Sequence, residues 1–559
     1  MKFKDYPYKR IEIKELEKDF AALFERFDLA ENAAAQFAVH KEYYELTDHA
    51  VTMSTIAHIR HDIDITDAFY EKEQEYYDQI MPILQNLIVN YQKKLYGSAF
   101  KEELQEMIGP VAFKNMELAF RSMDEKLIPL MQEENTLRTE YDKLIAGAKI
   151  DWDGEILNLS LLRPYLTNAD RTIRQKAWNK YENFFAVNGD KLDEIYDRLV
   201  KNRTQQAREM GYENYLELGY YRMNRNCYDA PMVKTFRDQI KSEWVPFVER
   251  MQKRRKERLG VDRLSYIDEG VYFAEGNPSP KGTPEEIMEA GRTMYQELSP
   301  ETAAFITFMM DQELFDVLGR KNKKAGGYMT FLPDYKAPFI FANFNSTSDD
   351  VDVMTHECGH AFQGYLTAED PIREHADITM ETAEIHSMSM EFFTEPWMNR
   401  FFGDRADDYR AFHLESAAAF IPYGCLVDEF QHVMYEHPEM TPSERHTAWR
   451  QLEQEYKPHL DYAGAPYFEK GGFWQKQLHI YDLPFYYIDY CLAQTCALQY
   501  KGRMDQNYGA AWESYLTLCR LSASDFFTGL LEQSGLESPF SDGSIRHLIQ
   551  NLEHTVGME

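Results

Sequence analysis

Apolar residues recur at spacings of three and four along most of this 559-residue chain, and few stretches alternate with a period of two. In the segment 102–144, for example, Leu104, Met107, Ile108 and Val111 begin a series that continues at these spacings. Helices that bury one face have this periodicity. The pattern therefore predicts a mainly α-helical protein.

The region 327–344 departs from the helical pattern. Its runs 328–332 and 339–344 are short, rich in aromatic residues and separated by a turn-prone segment. They predict two strands of a small antiparallel sheet. Pro338 cannot donate a hydrogen bond to a neighbouring strand, so we expect the second run to be an edge strand. A peptide backbone could then pair with that edge.

The charge of the chain excludes two classes of partner. Lys and Arg number 61 against 93 Asp and Glu, which gives a formal net charge of −32. Such a chain repels phosphate backbones and anionic bilayers, so we expect neither a nucleic acid nor a membrane as partner. The six cysteines are too scattered for a disulfide framework, and no signal peptide or membrane helix is visible. These features predict a cytoplasmic protein.

A His-Glu-x-x-His motif follows the predicted sheet. His356 and His360 are four residues apart, so on a helix both imidazoles can reach one metal ion. Glu357 projects about 100° away from His356, where it can act on a water without binding the metal. Gly359 is unfavourable inside a helix by about 1 kcal/mol, which indicates close packing beside the site. Cys358 is expected to be a small buried residue.

A catalytic zinc ion needs a third protein ligand. The longer motif HExxHxxGxxH fails, because Gln363 and Leu366 occupy the positions of its glycine and its third histidine. A carboxylate from a following helix is the remaining option. The helix predicted at 379–395 has three glutamates along one face: Glu381, Glu384 and Glu391. Helix geometry alone leaves the choice among them open.

The motif HECGH, followed by ETAEIHSMSMEFF, resembles the thimet-oligopeptidase and oligoendopeptidase F family of zinc metallopeptidases, in particular its oligoendopeptidase F or Pz-peptidase branch. In that family the third ligand is a glutamate in an E-x-x-S pattern beyond the second histidine. Glu384 matches, with Ser387 three residues later, whereas Glu381 does not. The resemblance implies one zinc ion held by the two histidines and Glu384. Glu391 is a candidate for orienting a histidine.

A second cluster lies in the aromatic-rich segment 471–490. From the residues alone, an aromatic core helix is the simpler interpretation. In the resembling peptidases, a histidine and a pair of tyrosines from this region point at the substrate carbonyl. His479 matches the histidine, and we expect Tyr490 to be the main oxyanion donor, with Tyr486 or Tyr487 beside it. The register is open because several tyrosines occupy nearly equivalent positions.

The resemblance extends from about residue 170 to the C-terminus, and turn-forming residues at 166–168 indicate a boundary. We expect an N-terminal helical lobe at 1–168 and a zinc metallopeptidase catalytic domain at 169–559. The resemblance implies a two-lobed helical zincin, with a small antiparallel sheet beside the HExxH helix and a deep channel between the lobes.

These features predict a zinc-dependent oligoendopeptidase that hydrolyses internal bonds of short peptides, with Glu357 as general base. Two alternatives stay open. A carboxypeptidase or dipeptidase of the same mechanism would need a fixed cation for a terminal carboxylate, and no such cation is identifiable near the motifs. A non-catalytic helical scaffold is the other alternative, and the intact motif argues against it.

Overall fold

A computed structural model describes residues 1–324, 326–345 and 347–555. Over these residues the chain is mainly α-helical with small sheets, so the predicted fold class is confirmed. The helices of the first half are α1 (Ile13–Leu29), α2 (Ala33–Ile63), α3 (Ala68–Tyr96), α4 (Lys101–Ile108), α5 (Pro110–Ser122), α6 (Ile128–Ala146), α7 (Leu159–Leu166), α8 (Arg171–Glu209), α9 (Tyr215–Arg222), α10 (Ala230–Gln239) and α11 (Val245–Leu259).

The second half contains thirteen further helices in the described residues. They are α12 (Pro284–Leu298), α13 (Pro300–Asp311), α14 (Asp349–Asp352), α15 (Cys358–Thr367), α16 (Met380–Phe393), α17 (Asn399–Phe402), α18 (Ala406–Glu436), α19 (Pro442–Tyr456), α20 (Pro466–Glu469), α21 (Leu478–Asp482), α22 (Tyr487–Leu521), α23 (Phe527–Gln533) and α24 (Ser544–Thr555). The strands are β1 (Ile150–Trp152), β2 (Glu155–Leu157), β3 (Phe315–Leu318), β4 (Tyr328–Leu332) and β5 (Ala337–Phe344).

The chain divides into two compact units. The first contains residues 1–120, 279–406 and 503–536, and the second contains 121–278, 407–502 and the residues from 537 onward. Both units take segments from either side of residue 168, so the predicted boundary does not coincide with the division between them. The assignment of a catalytic domain to 169–559 stays a prediction.

The larger sheet lies in the first unit and has the order β3-β5-β4. The predicted antiparallel pair is confirmed, with Tyr328 opposite Phe341 and Leu332 opposite Ala337. The prediction that the second run is an edge strand is wrong, because β3 pairs with its other side in parallel. Pro338 is tolerated because the pairing with β3 begins only at Ile340.

The sheet supports the helix that carries the motif. α14 follows β5 in the chain, and Oδ1 of Asp350 on α14 accepts a hydrogen bond of 2.8 Å from the N–H of Asn345, the residue after β5. α15 packs against β4 and β5. At Gly364 of α15, an added Cβ would lie 3.3 Å from the ring of Phe331 on β4, so helix and strand are in direct contact.

The second unit contains a hairpin that the periodicity did not reveal. β1 and β2 form an antiparallel hairpin, with Ile150 opposite Leu157. Its turn is Asp153-Gly154, both with positive φ (54° and 92°), as a tight two-residue hairpin requires. The hairpin packs with α7 and α8 in a small apolar cluster that includes Trp152 and Leu162. No described helix is long and apolar enough to cross a membrane.

Candidate active site

The motif lies on a helix that changes its winding at the site. α14 passes into a π-helical turn, Val353–Glu357, which continues as α15 from Cys358. Single π-helical turns inside α-helices occur frequently at functional sites. The rings of His356 and His360 lie 5.0 Å apart at an interplanar angle of 83°. Both imidazoles therefore face the same region, as their spacing predicts.

The third group comes from α16. Glu384 is buried, and its Oε2 lies 3.4 Å from Nε2 of His356 and 3.7 Å from Nε2 of His360. The three ligand atoms all lie within 4.8 Å of one another. In a tetrahedral zinc site with bonds of about 2.0–2.2 Å, ligand atoms are separated by about 3.4 Å. The two histidines and this carboxylate thus fit the donor set of one zinc ion.

Other glutamates of α16 have different surroundings. In the described part of the chain, His356, His360 and Glu384 form the one cluster of three or more such donors close enough for a metal, and Glu381 is outside it. Ser387 donates a hydrogen bond of 3.1 Å to Oε2 of Glu384. The serine of the E-x-x-S pattern therefore orients the carboxylate that faces the histidines.

Glu391 lies behind the first histidine. Its Oε1 is 2.6 Å from Nδ1 of His356, which leaves Nε2 facing Glu384. A carboxylate in this position fixes the orientation of the imidazole and makes it a better ligand. Burial lowers the pKa of His356, but hydrogen bonds to Glu384 and Glu391 outweigh it and raise that pKa well above its usual range. The carboxylates thus form a strongly cation-attracting site.

Close packing of α15 on α16 sets the distance between the histidines and the glutamate. An added Cβ at Gly359 would lie 2.7 Å from the carbonyl oxygen of His386, 2.7 Å from Cα of Ser387 and 3.0 Å from Cβ of Met390. No real Cβ makes backbone contacts that short. The expected reason for the glycine is therefore present, and the two helices touch through their backbones.

Gly359→Ala should force these helices apart, lower the free energy of unfolding by about 1–3 kcal/mol and weaken metal binding. Denaturant unfolding and a zinc titration measure the two effects. Gly364→Ala is the matched control on the same helix, because its new Cβ would meet only the ring of Phe331 at 3.3 Å. Unchanged zinc affinity in Gly359→Ala would show that this contact does not set the donor spacing.

The remaining motif residues differ in access. Glu357 is half-buried and has no hydrogen bond or ion pair with any residue that the structure describes, so its carboxylate is available to another molecule. Cys358 is fully buried, and burial raises the pKa of its thiol. The expectation of a small buried residue at 358 is met, and the thiol is poorly suited to redox chemistry.

The predicted aromatic cluster lies in the second unit. The ring of His479, on α21, is 5.7 Å from Tyr486, 4.8 Å from Tyr487 and 6.0 Å from Tyr490. Tyr486 and Tyr490 are 4.7 Å apart. These four side chains therefore form one cluster, whereas the zinc-binding candidates form another in the first unit. The role of these aromatic residues as oxyanion donors stays a prediction.

A strained turn holds the tyrosines in place. Phe485, directly before Tyr486, has a φ of 68°, which costs a non-glycine residue about 1–3 kcal/mol. Its N–H donates to Oε1 of Gln431 at 3.0 Å, and its carbonyl accepts from Arg225. Arg225 also donates to the buried Asp489 at 3.1 Å, next to Tyr490. The same buried cation thus holds the backbone before Tyr486 and the side chain before Tyr490.

The orientation of His479 is set by a residue that sequence reasoning missed. Gln477 Nε2 lies 2.8 Å from Nδ1 of His479, and its Oε1 accepts a hydrogen bond of 2.8 Å from Tyr423. An amide nitrogen can only donate, so Nδ1 accepts and the neutral imidazole carries its proton on Nε2. His479 is thereby a hydrogen-bond donor through Nε2. In the sequence, the one signal for this role of Gln477 was its position two residues before His479.

Two protein-family models together match most of the chain. Residues 3–123 match "Peptidase M3 N-terminal domain", and residues 165–279 and 304–549 match "Peptidase family M3". Oligopeptidase PepF of Bacillus subtilis (strain 168) is 22% identical over 524 residues, which are 86% of this chain and 74% of PepF.

Solved structures agree with these matches. A structure of Pz peptidase A with an inhibitor has a TM-score of 0.94 and 45% sequence identity, covering 100% of this chain and 99% of that one. Oligoendopeptidase-F from Enterococcus faecium has a TM-score of 0.62 at 15% identity, covering 98% of each chain, and shares the fold.

Proposed function

This chain belongs to peptidase family M3, and we propose that it is a zinc-dependent oligoendopeptidase that cleaves internal bonds of short peptides. The observation that carries the proposal is that the ligand atoms of His356, His360 and Glu384 lie within 4.8 Å of one another, while Glu357, the residue after His356, keeps an available carboxylate. Metal-dependent peptide hydrolysis needs these groups together: three ligands and a base that does not bind the metal.

The donor set of two imidazoles and one carboxylate is typical of a catalytic rather than a structural zinc site. When bound, zinc supplies a Lewis acid that polarises the scissile carbonyl and lowers the pKa of a bound water from 15.7 toward about 7. Glu391 contributes by keeping the lone pair of His356 Nε2 directed at the ligand position.

Glu357 is the proposed general base. Its carboxylate accepts a proton from the attacking water and passes it to the leaving amine, which must be protonated to depart. The side chain is suited to both steps because no described residue occupies its oxygens and it is half-buried. The developing negative charge on the substrate is assigned to Nε2–H of His479 and the hydroxyl of Tyr490, with Tyr486 beside it.

Tyr490→Phe should lower kcat by about 100- to 1,000-fold with unchanged zinc content, as expected when one oxyanion donor is lost. His479→Ala should behave similarly. Steady-state kinetics on one quenched peptide measure both, and Tyr486→Phe and Tyr487→Phe determine which tyrosine is the main donor. A change in KM alone would assign these side chains to uniform substrate binding.

The sequence predicts that a peptide backbone pairs with β5, and we now propose that it pairs with β4. β5 is central and cannot accept another strand, whereas no strand in the described residues pairs with the outer edge of β4. β4 also packs against the helix that carries His360. An extended peptide pairing there would be held through its backbone, which tolerates many side chains.

A paired-peptide assay tests the function. An internally quenched peptide blocked at both ends and its unblocked twin are incubated with the protein, with and without a chelator. An oligoendopeptidase cleaves the blocked peptide and loses activity with the chelator. Cleavage of the free peptide alone would indicate an exopeptidase, and inertness on both would indicate a scaffold. The same sequence embedded in a stably folded protein should resist cleavage if short peptides are the substrates.

A further inference from the structure

Lys476 is a partly buried lysine of the second unit. It ends the 3-10 helix Gly472–Lys476, is half-buried, and forms no ion pair with any carboxylate of the described residues. Its Nζ lies 4.2 Å from the centre of the Phe473 ring and 5.5 Å from that of Tyr423. A partly desolvated ammonium group is costly unless an anion compensates it.

Four charged groups act on Lys476. They are Lys457 and Arg163, which oppose its charge, and Glu269 and Glu453, which favour it. The pKa of Lys476 is lowered to about 8, mainly by burial and to a smaller extent by the two cations. The ammonium group is thus charged at neutral pH, and its burial carries a desolvation cost that a bound anion would relieve.

Both nearby carboxylates are already engaged by other groups. Glu269 pairs with Lys457, with His459 at 3.0 Å and with Arg255 at 3.3 Å. Glu453 accepts hydrogen bonds from Tyr462 at 2.6 Å and Arg450 at 3.0 Å. Both carboxylates are thus engaged by nearer partners, and neither forms an ion pair with Lys476, so its charge is open to an anion from outside the chain.

Tyr423 connects Lys476 to the histidine of the aromatic cluster. The face of its ring is 5.5 Å from the ammonium group, and its hydroxyl donates to Gln477, which contacts His479. Its ring is also 5.9 Å from that of Tyr487, which lies against His479. Tyr423 and Gln477 therefore link Lys476 to His479, the group that we assign to the substrate carbonyl.

We propose that Lys476 binds a carboxylate of the peptide substrate, which is either the terminal carboxylate or an Asp or Glu side chain. The proposal rests on the proposed peptidase function. It also provides the fixed cation that the sequence did not reveal, and it lets the endopeptidase favour peptides that carry an anion on one side of the cleaved bond. The rings of Phe473 and Tyr423 limit hydration of the ion pair and so strengthen it.

Two pairs of N-terminally blocked peptides test the proposal. The members of the first pair share one sequence and end in a free acid or in an amide. The members of the second pair both end in an amide and carry Glu or Gln beyond the cleaved bond. The wild type should prefer one carboxylate form over its neutral twin by about 10- to 100-fold in kcat/KM, as for a hydrogen bond to a charged group. The arm that shows the preference identifies the source of the carboxylate. Lys476→Met should remove the preference and leave the amide unaffected, whereas Lys470→Met, an exposed lysine of the same segment, should keep it.

The wild type also provides a test that needs no variant. Its preference for the carboxylate should fade as the pH rises and Lys476 loses its proton, while the ratio for Lys476→Met stays flat. Equal rates on acid and neutral peptides, or an equal loss on both in Lys476→Met, would overturn the proposal. Failure of the wild type to cleave even the amide would count against the peptidase function itself.

Discussion

Glu357→Gln should retain zinc at the wild-type stoichiometry and lose nearly all peptide hydrolysis. The substitution keeps the size and polarity of the side chain but removes the group that accepts a proton, and general base catalysis is worth about two to four orders of magnitude. The ligand atoms of His356, His360 and Glu384 are left unchanged. Elemental analysis and kcat on a blocked peptide are the two measurements.

Glu369→Gln is a suitable control for this variant. Glu369 lies just beyond the same helix, is strongly exposed and pairs with Lys336 on the surface, so its neutralisation removes one negative charge without touching the site. It should keep full activity. Retention of more than a few per cent of kcat in Glu357→Gln would mean that another group takes the proton.

The histidine pair could be predicted from the sequence because it depends on local geometry alone. A spacing of four residues on a helix brings His356 and His360 together, and the π-helical turn that the sequence did not indicate leaves both rings on one side. The reason for Gly359 was also predictable in kind, since a helix interior rarely keeps a glycine without a close neighbour. The identity of that neighbour, α16, required the structure.

The strand positions were predictable, but the sheet order was not. The run Ala337–Phe344 is apolar nearly throughout, which indicates a strand buried on both faces, and Pro338 obscured that signal. The other neighbour of β5, Phe315–Leu318, is only four residues long and pairs in parallel from outside the predicted region. The hairpin at 150–157 did carry a local signal, Asp153-Gly154, which an analysis of helical periodicity passes over.

The register of the tyrosines could not follow from periodicity, because the segment is not one helix. α21 ends at Asp482, and the left-handed Phe485 separates it from α22. Residues on either side of such a turn do not share a helical face. The charge state of Lys476 is equally invisible in sequence, since it depends on which carboxylates are already engaged by cations distant in the chain.

Glu384→Gln should lower the affinity for zinc by more than about 100-fold, while Glu381→Gln should bind zinc normally. Loss of a group that only orients a ligand already costs about 10- to 100-fold, and Glu391→Gln should fall in that range. Glu384 faces both histidines at 3.4 and 3.7 Å, whereas Glu381, although equally buried, is outside the cluster.

Competition with a chelator of known affinity measures all three variants, and glutamine preserves the volume of each buried side chain. The expected order of affinity is Glu381→Gln first, then Glu391→Gln and last Glu384→Gln. This order distinguishes Glu384 from Glu381, which helix geometry leaves equivalent. The difference arises because Ser387 directs the carboxylate of Glu384 at the histidines. Zinc loss in Glu381→Gln with retention in Glu384→Gln would move the third ligand by one helical turn and remove the role assigned to Ser387.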